Sequence, residues 1–269
     1  MYNEQVNYAT KDYPFLIKHE NVKYIPHFHE ETEIVQVLEG ELLFTLGIEC
    51  YSIKAGDICI ITPQQIHNLY TETYSLTYVM KLFPIVDLSG LRLETPILTK
   101  ADPSYEKLNN YIHNIIRENE NQEECYKLAV NVQAESIFLF ILREMRYQNL
   151  DSRIKLKHIT KNKTLDEINQ FLEEHFDEDF SLDQIATKLN YTKSYFCRYF
   201  KKMTAMTFWE YFTMFRLEKS IQCMQDSPKE NITVIANRAG FKNVHSYNTA
   251  FKSFHRCTPR EYRERIKQK

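Results

Sequence analysis

Two stretches of the chain repeat one another. Leu182, Ile185, Ala186, Leu189 and Tyr191 are matched fifty residues on by Ile232, Ile235, Ala236, Ala239 and Phe241, and Phe196, Phe200, Lys201, Thr207 and Tyr211 are matched fifty-one residues on by Tyr247, Phe251, Lys252, Thr258 and Tyr262. A duplication with one residue inserted marks a repeated supersecondary unit. Apolar residues three and four apart predict a short helix in each half-unit, and Gly240 and Asn190 stand where the chain must turn sharply through a left-handed conformation. Ala186 and Ala236 are small where two helices cross closely. The reading is two helix-turn-helix units, about 182–203 and 232–254, held apart by a long helix over Phe208 to Met224 that carries Trp209, Phe212, Phe215, Leu217 and Ile221.

With the apolar residues turned inward, the second helix of the first unit presents Lys193, Ser194, Cys197, Arg198 and Lys201, and that of the second presents Asn243, Val244, His245, Asn248, Thr249 and Lys252. Such faces suit a DNA major groove, where arginine donates to guanine and asparagine pairs with adenine, so Arg198 and Asn248 are the leading base-reading candidates. The alternative for any one of them is a solvated surface or a phosphate contact. Charge favours nucleic acid. Residues 1–183 hold 17 Lys and Arg against 30 Asp and Glu, whereas residues 184–269 hold 17 against 6.

The front half has another period. Glu33 to Leu38, Glu41 to Leu46, Ile48 to Ile53, Ile58 to Thr62 and Ser75 to Leu82 read as strands, broken at Gly40, Gly47, Gly56-Asp57 and Pro63, which predicts an antiparallel sandwich or barrel. Helical spacing returns over Ser104 to Glu118 and Cys125 to Met145. The second of these helices is apolar over a wide arc that must be covered, by the strands or by the same helix of a second copy. The expected fold is therefore α+β. A barrel (about 15–100) and helices (about 104–148) form a domain over 1–150, a basic segment 151–163 is the linker, and an all-α domain occupies 164–269. No run is long and apolar enough for a membrane span, and Met1 to Gln5 open no signal peptide, so a cytoplasmic protein without membrane contact is expected. Six scattered cysteines, none in a C-x-x-C pair, fit neither a zinc ribbon nor a disulfide scaffold.

Residues 164–266 resemble the DNA-binding region of the AraC/XylS family of transcription regulators. The matching residues are Ile232, Ile235-Ala236, Gly240-Phe241, Ser246-Tyr247-Asn248, Phe251-Lys252, Thr258-Pro259 and Tyr262-Arg263. The first unit supplies Leu182, Ile185-Ala186, Tyr195, Phe200-Lys201-Lys202, Phe208, Tyr211 and Arg216-Leu217. The chain departs from the family pattern at Ala205 and Arg256, where glycine is usual, and at Ser220, where alanine is. The resemblance implies sequence-specific binding of promoter DNA through two successive major grooves, usually activation through contact with RNA polymerase, and a front domain that senses a small molecule or dimerises.

That front domain resembles the cupin sensor barrel often joined to this family. His27, His29 and Glu33 precede Gly40, and Gly56-Asp57, Pro63 and His67 follow. In metal-binding cupins the residues matching His27, His29, Glu33 and His67 converge on one ion, and two imidazoles at alternate strand positions suit joint coordination. Three readings stay open at this point: a divalent metal, a polar pocket for an organic effector that adds Tyr24 and Tyr78, and histidines that only satisfy buried backbone. No cofactor beyond such a metal is expected. The function expected is a dimeric transcription regulator and not an enzyme; the alternatives are a ligand-independent regulator whose barrel only dimerises and a metal-dependent cupin enzyme.

Overall fold

A computed structural model describes residues 13–83 and 85–267. Two compact units divide between Asn162 and Lys163. Among the described residues no helix is long and apolar enough to cross a membrane.

The front unit is built on strands β1 (Phe15–Glu20), β2 (Thr32–Leu46), β3 (Glu49–Lys54), β4 (Ile58–Ile61), β5 (His67–Tyr70), β6 (Ser75–Leu82), β7 (Leu91–Leu93) and β8 (Ile97–Leu98). Every pairing is antiparallel. The first half of β2 lies in the order β1-β6-β2-β4-β8, and its second half pairs with β3 and β5. Sequence reading expected two strands broken at Gly40. Instead β2 runs through: the register shifts at Leu38, between Val37 and Glu39, and Gly40 at φ 76° stays paired with Ser75, so the glycine marks a close approach and not a stop. A Cβ there would run into the carbonyl of Tyr74.

Two cores follow from the alternation of side chains across these strands. One face buries Val35, Val37, Leu42, Phe44, Ile53, Ile61, Leu69 and Val79 between the strands. The other, with Ile34, Ile58, Ile60, Met80 and Leu82, is covered by helices α1 (Tyr105–Asn121) and α2 (Tyr126–Glu144), which supply Leu108, Ile112, Ile115, Ile137, Phe138 and Ile141. A short strand β9 (Tyr147–Asn149) pairs with β7.

Helix α3 (Ser152–His175) starts inside the segment expected to be a linker. Its first eleven residues expose most of their basic side chains, while Leu165, Ile168, Phe171 and Leu172, beyond the division, are buried in the second unit. That unit continues with α4 (Leu182–Lys188), α5 (Lys193–Thr204), α6 (Phe208–Asp226), α7 (Ile232–Arg238), α8 (Val244–His255) and α9 (Pro259–Lys267).

Candidate DNA-reading helices and effector site

The duplication is reproduced in detail. Helices α4 and α7 have seven residues each, α5 and α8 twelve each. Tyr191 donates its backbone N–H to Ala186 O, and Phe241 does the same to Ala236 O, so the tight turn closes identically in both units. Asn190 and Gly240 supply the left-handed residue, at φ 57° and 82°. Thr192 caps α5 by accepting from Tyr195 N, and Asn243 caps α8 by accepting from Ser246 N. Each reading helix ends on a left-handed residue, Ala205 at φ 62° and Arg256 at φ 58°. The inserted residue is thus Lys242, between turn and cap.

The inward sides are aromatic. Phe196 and Phe200 pack on Phe208 and Tyr211, and Tyr211 donates its hydroxyl proton to Asn169 of α3 at 2.6 Å. In the second unit Tyr247 and Phe251 are fully buried with Phe241 and Leu217, and Tyr247 donates to the hydroxyl of Ser220 at 3.1 Å. Ser220, one of the departures from the family pattern, thereby gives a buried tyrosine its acceptor. Lys193, Ser194, Arg198, Lys201, Asn243, His245, Asn248, Thr249 and Lys252 are exposed, and Cys197 and Val244 are half-buried. Tyr195, one of the residues that match the family pattern, is 45% exposed and stacks on Tyr199; Phe196 holds the inward place.

Within the barrel the four cupin-type residues meet. His27 and His67 face each other across a backbone bridge, with ring centroids 4.3 Å apart, and one donor atom from each of His27, His29, Glu33 and His67 lies within 4.8 Å of all the others. Each imidazole places Nδ1 on a backbone carbonyl: His27 on Ile25 O at 2.8 Å, His67 on Gln65 O at 2.8 Å and His29 on Glu31 O at 3.0 Å. A carbonyl only accepts, so Nδ1 donates in each ring and Nε2 is left for other partners; between the His29 Nε2 and Glu33, which also only accepts when ionised, a proton is shared. The His29 Nε2 lies 2.8 Å and the His67 Nε2 3.5 Å from Glu33 Oε2, while Glu33 Oε1 is buried without a hydrogen-bond partner. A cation bound here would take the place of the proton between His29 and Glu33, and backbone bonds that hold each Nδ1 and leave Nε2 to the ion are what a metal-binding set requires. The residues present fit a divalent ion.

Burial and the neighbouring charges shift this cluster. Burial lowers His29 from its ordinary value, against the opposing pull of Glu33, and Lys81 lowers it further. Burial alone would raise Glu33, yet His29, His67 and Lys81 together hold it well below the usual carboxylate range. Tyr24 meets the ring of His27 edge-on at 5.8 Å. Tyr78, the other aromatic pocket candidate, is not brought to the cluster. It pairs in register with Gln36, one step out of phase with Glu33, and packs with the core under α1 and α2. Sequence reading missed Lys81, which stands opposite Glu33 in the β2–β6 register, is 3% exposed and brings Nζ to 3.9 Å from Glu33 Oε2. The available signal was a lone charge in the otherwise apolar end of a strand.

The comparisons agree with both halves. A family model described as an AraC-like ligand binding domain matches residues 15–134, and one described as a helix-turn-helix domain matches residues 185–265. The chain is 26% identical over 247 residues to the HTH-type transcriptional activator RhaS of Escherichia coli, spanning 88% of this chain and 87% of that protein. Among solved structures it is similar to wild-type ToxT from Vibrio cholerae with an unsaturated fatty acid bound, with a TM-score of 0.51 and 14% identity over 93% of this chain and 95% of that one. An apo form of ToxT that carries a single substitution is similar at a TM-score of 0.50 and 14% identity, over 95% of this chain and 97% of that one. At that identity the likeness is one of fold.

Proposed function

Because the chain belongs to the AraC family of helix-turn-helix transcription regulators and carries an N-terminal ligand-binding domain, we propose that it reads promoter DNA with α5 and α8 in successive major grooves. The observation that carries this is the pair of twelve-residue helices with matching caps and exposed polar faces. Between them α6, nineteen residues or about 28 Å long, spaces the units on the scale of one turn of DNA, about 34 Å. Arg198 and Asn248 would touch base edges, with Lys193, Ser194, Cys197, Lys201, Asn243, Val244, His245, Thr249 and Lys252 around them. Activation is the mode read from the activator relative, and contact with RNA polymerase is what the family resemblance implies. Recovery of genomic fragments by the purified protein, followed by footprinting, tests the reading: two protected patches one helical turn apart are expected, and uniform binding to every duplex would overturn it.

Dimerisation through α2 belongs to the same reading. Leu128, Val132 and Leu139 are 65%, 48% and 50% exposed along one side of that helix, opposite the buried Ile137 and Phe138. A second copy laid on the same helix would cover them. Leu128→Glu with Leu139→Glu should then give a monomer by analytical ultracentrifugation, and an unchanged mass would remove α2 from the interface.

The barrel is read as a sensor in a cytoplasmic regulator and not as an enzyme. Its effector site would comprise Tyr24, His27, His29, Glu33 and His67, and a divalent metal would be held by the last four. Such an ion, when bound, supplies a Lewis-acidic anchor for an oxygen ligand. The imidazoles stay oriented by their backbone bonds, and the low exposure of the cluster keeps water out.

A further inference from the structure

Lys81 has no place in the four-residue set, yet it is buried beside it. Without an ion, Glu33 lies 2.8 Å from the His29 Nε2, with which it shares a proton, and 3.9 Å from the Lys81 ammonium. With a divalent ion in place of that proton, the ion, its four ligands and Lys81 carry a net charge of about +2, which the partly exposed Glu31 carboxylate, 3.4 Å from the His29 Nδ1, offsets only in part, and uncompensated charge out of water is costly. Lys81 makes that excess larger, so it works against a metal bound alone. An anion repairs the balance. Ions that favour six ligands would also have two positions unfilled by four protein donors. The cluster is closed around Glu33 and His67, with side-chain exposure of 0%, and most open at His29, at 11%. Glu30, which follows His29 in the chain, and Gln64, whose N–H the His29 carbonyl accepts, line a cavity of about 600 Å³ with Lys155 and His158.

We propose that the barrel takes its divalent ion together with a small organic acid, which chelates the ion through its carboxylate and a neighbouring oxygen and sets its negative charge against Lys81. This names the effector class for the sensor reading and rests on the metal reading of the four-residue cluster. Lys81 is a specificity residue here: it makes the acid, and not a neutral analogue, the co-ligand.

The test uses the full chain with Co2+, whose visible bands report coordination, titrated by chelator competition with and without lactate or its neutral amide. Lactate should tighten Co2+ binding roughly tenfold and alter the bands, and lactamide should do neither. Lys81→Met should bind Co2+ alone at least as tightly as the parent and lose the lactate effect, while Lys81→Arg keeps it. Should the methionine variant fail to melt cooperatively, Lys81→Gln is read by the same criterion. An equal lactate effect in parent and variant, or none in the parent, overturns the acid while leaving the metal site standing. A lactate-induced rise in melting temperature without Co2+ overturns the joint binding. If the parent takes up no more Co2+ than His29→Ala, the metal reading itself falls.

Discussion

The two helix-turn-helix units are alike wherever the backbone dictates and unlike wherever the surface is free. Helix lengths, caps and the left-handed turn residue repeat at fixed offsets. The exposed faces do not repeat: α5 carries Lys193, Arg198 and Lys201, whereas α8 offers Asn243, His245, Asn248 and Thr249, with Lys252 its one cation among these candidates. One device thus serves two chemistries, a cationic face suited to phosphate and guanine and a largely neutral face suited to hydrogen bonding with bases. If the buried repeat is what makes the units equivalent, equivalent core changes should hurt both alike. Phe200→Ala and Phe251→Ala each empty a fully buried site and should each cost about 3–5 kcal/mol in chemical denaturation. A difference of several kcal/mol between them would mean the units do not share one packing scheme.

The turn is where the symmetry should break. Gly240 sits at φ 82°, and a Cβ on it would strike the carbonyl of Phe176, so Gly240→Ala should cost about 3 kcal/mol from backbone strain and overpacking together. Asn190 already has a Cβ in the matching place at φ 57°, and Asn190→Ala should cost only about 1 kcal/mol, the loss of the residue type that tolerates this region. Comparable midpoint shifts for the two variants in urea would contradict the close approach at Gly240.

How far the sequence disclosed the molecule follows the same division. The helical units were legible because Ile185, Phe196, Ile235 and Phe251 recur at helical spacing and have to be buried. The His27, His29, Glu33 and His67 set was legible through the cupin resemblance, although His27 and His29 lie between β1 and β2 and not at alternate positions of one strand, and an isolated bridge sets His27 against His67. Strand β5, His67–Tyr70, was not, since four residues with polar ends give no period to read. Gly40 misled because a glycine that lets a neighbouring strand's backbone come close looks like one that ends a strand. Lys81 showed in the sequence only as a lone charge among Val79, Met80 and Leu82; its place beside Glu33 comes from cross-strand register, which no local pattern encodes. The linker residues hid their helix because the stretch offers few buried apolar positions.

The reading faces provide the sharpest functional contrast. Arg198→Ala and Asn248→Ala should each cost about 1–3 kcal/mol on the best site while leaving helical content intact, and each should relax the preference at its own base pairs. Arg198→Ala should also flatten the dependence of binding on salt, because it removes a cation, whereas Asn248→Ala should leave that slope unchanged. Competition binding against a library of single-base variants, repeated at two salt concentrations, separates the outcomes. Uniform weakening over all sequences would assign the altered residue to the phosphates.

The smallest effect concerns the ends of the same helices. Ala205 and Arg256 close α5 and α8 in the left-handed region, at φ 62° and 58°, where a side chain costs roughly 1–2 kcal/mol relative to glycine. Glycine returns part of that gain through the greater freedom of the unfolded chain, about 0.4–1 kcal/mol. Ala205→Gly should therefore stabilise the second unit of the fold by a few tenths to about 1 kcal/mol. Arg256→Gly should do the same when measured against Arg256→Ala, which removes the charge but keeps the Cβ. Both caps donate their backbone N–H four residues back, to Lys201 O and Lys252 O, so the bond survives either substitution and the backbone term is isolated. Equal gains at the two ends would extend the symmetry of the units to their strain; a gain at only one would show that the helix ends, like the faces, have diverged.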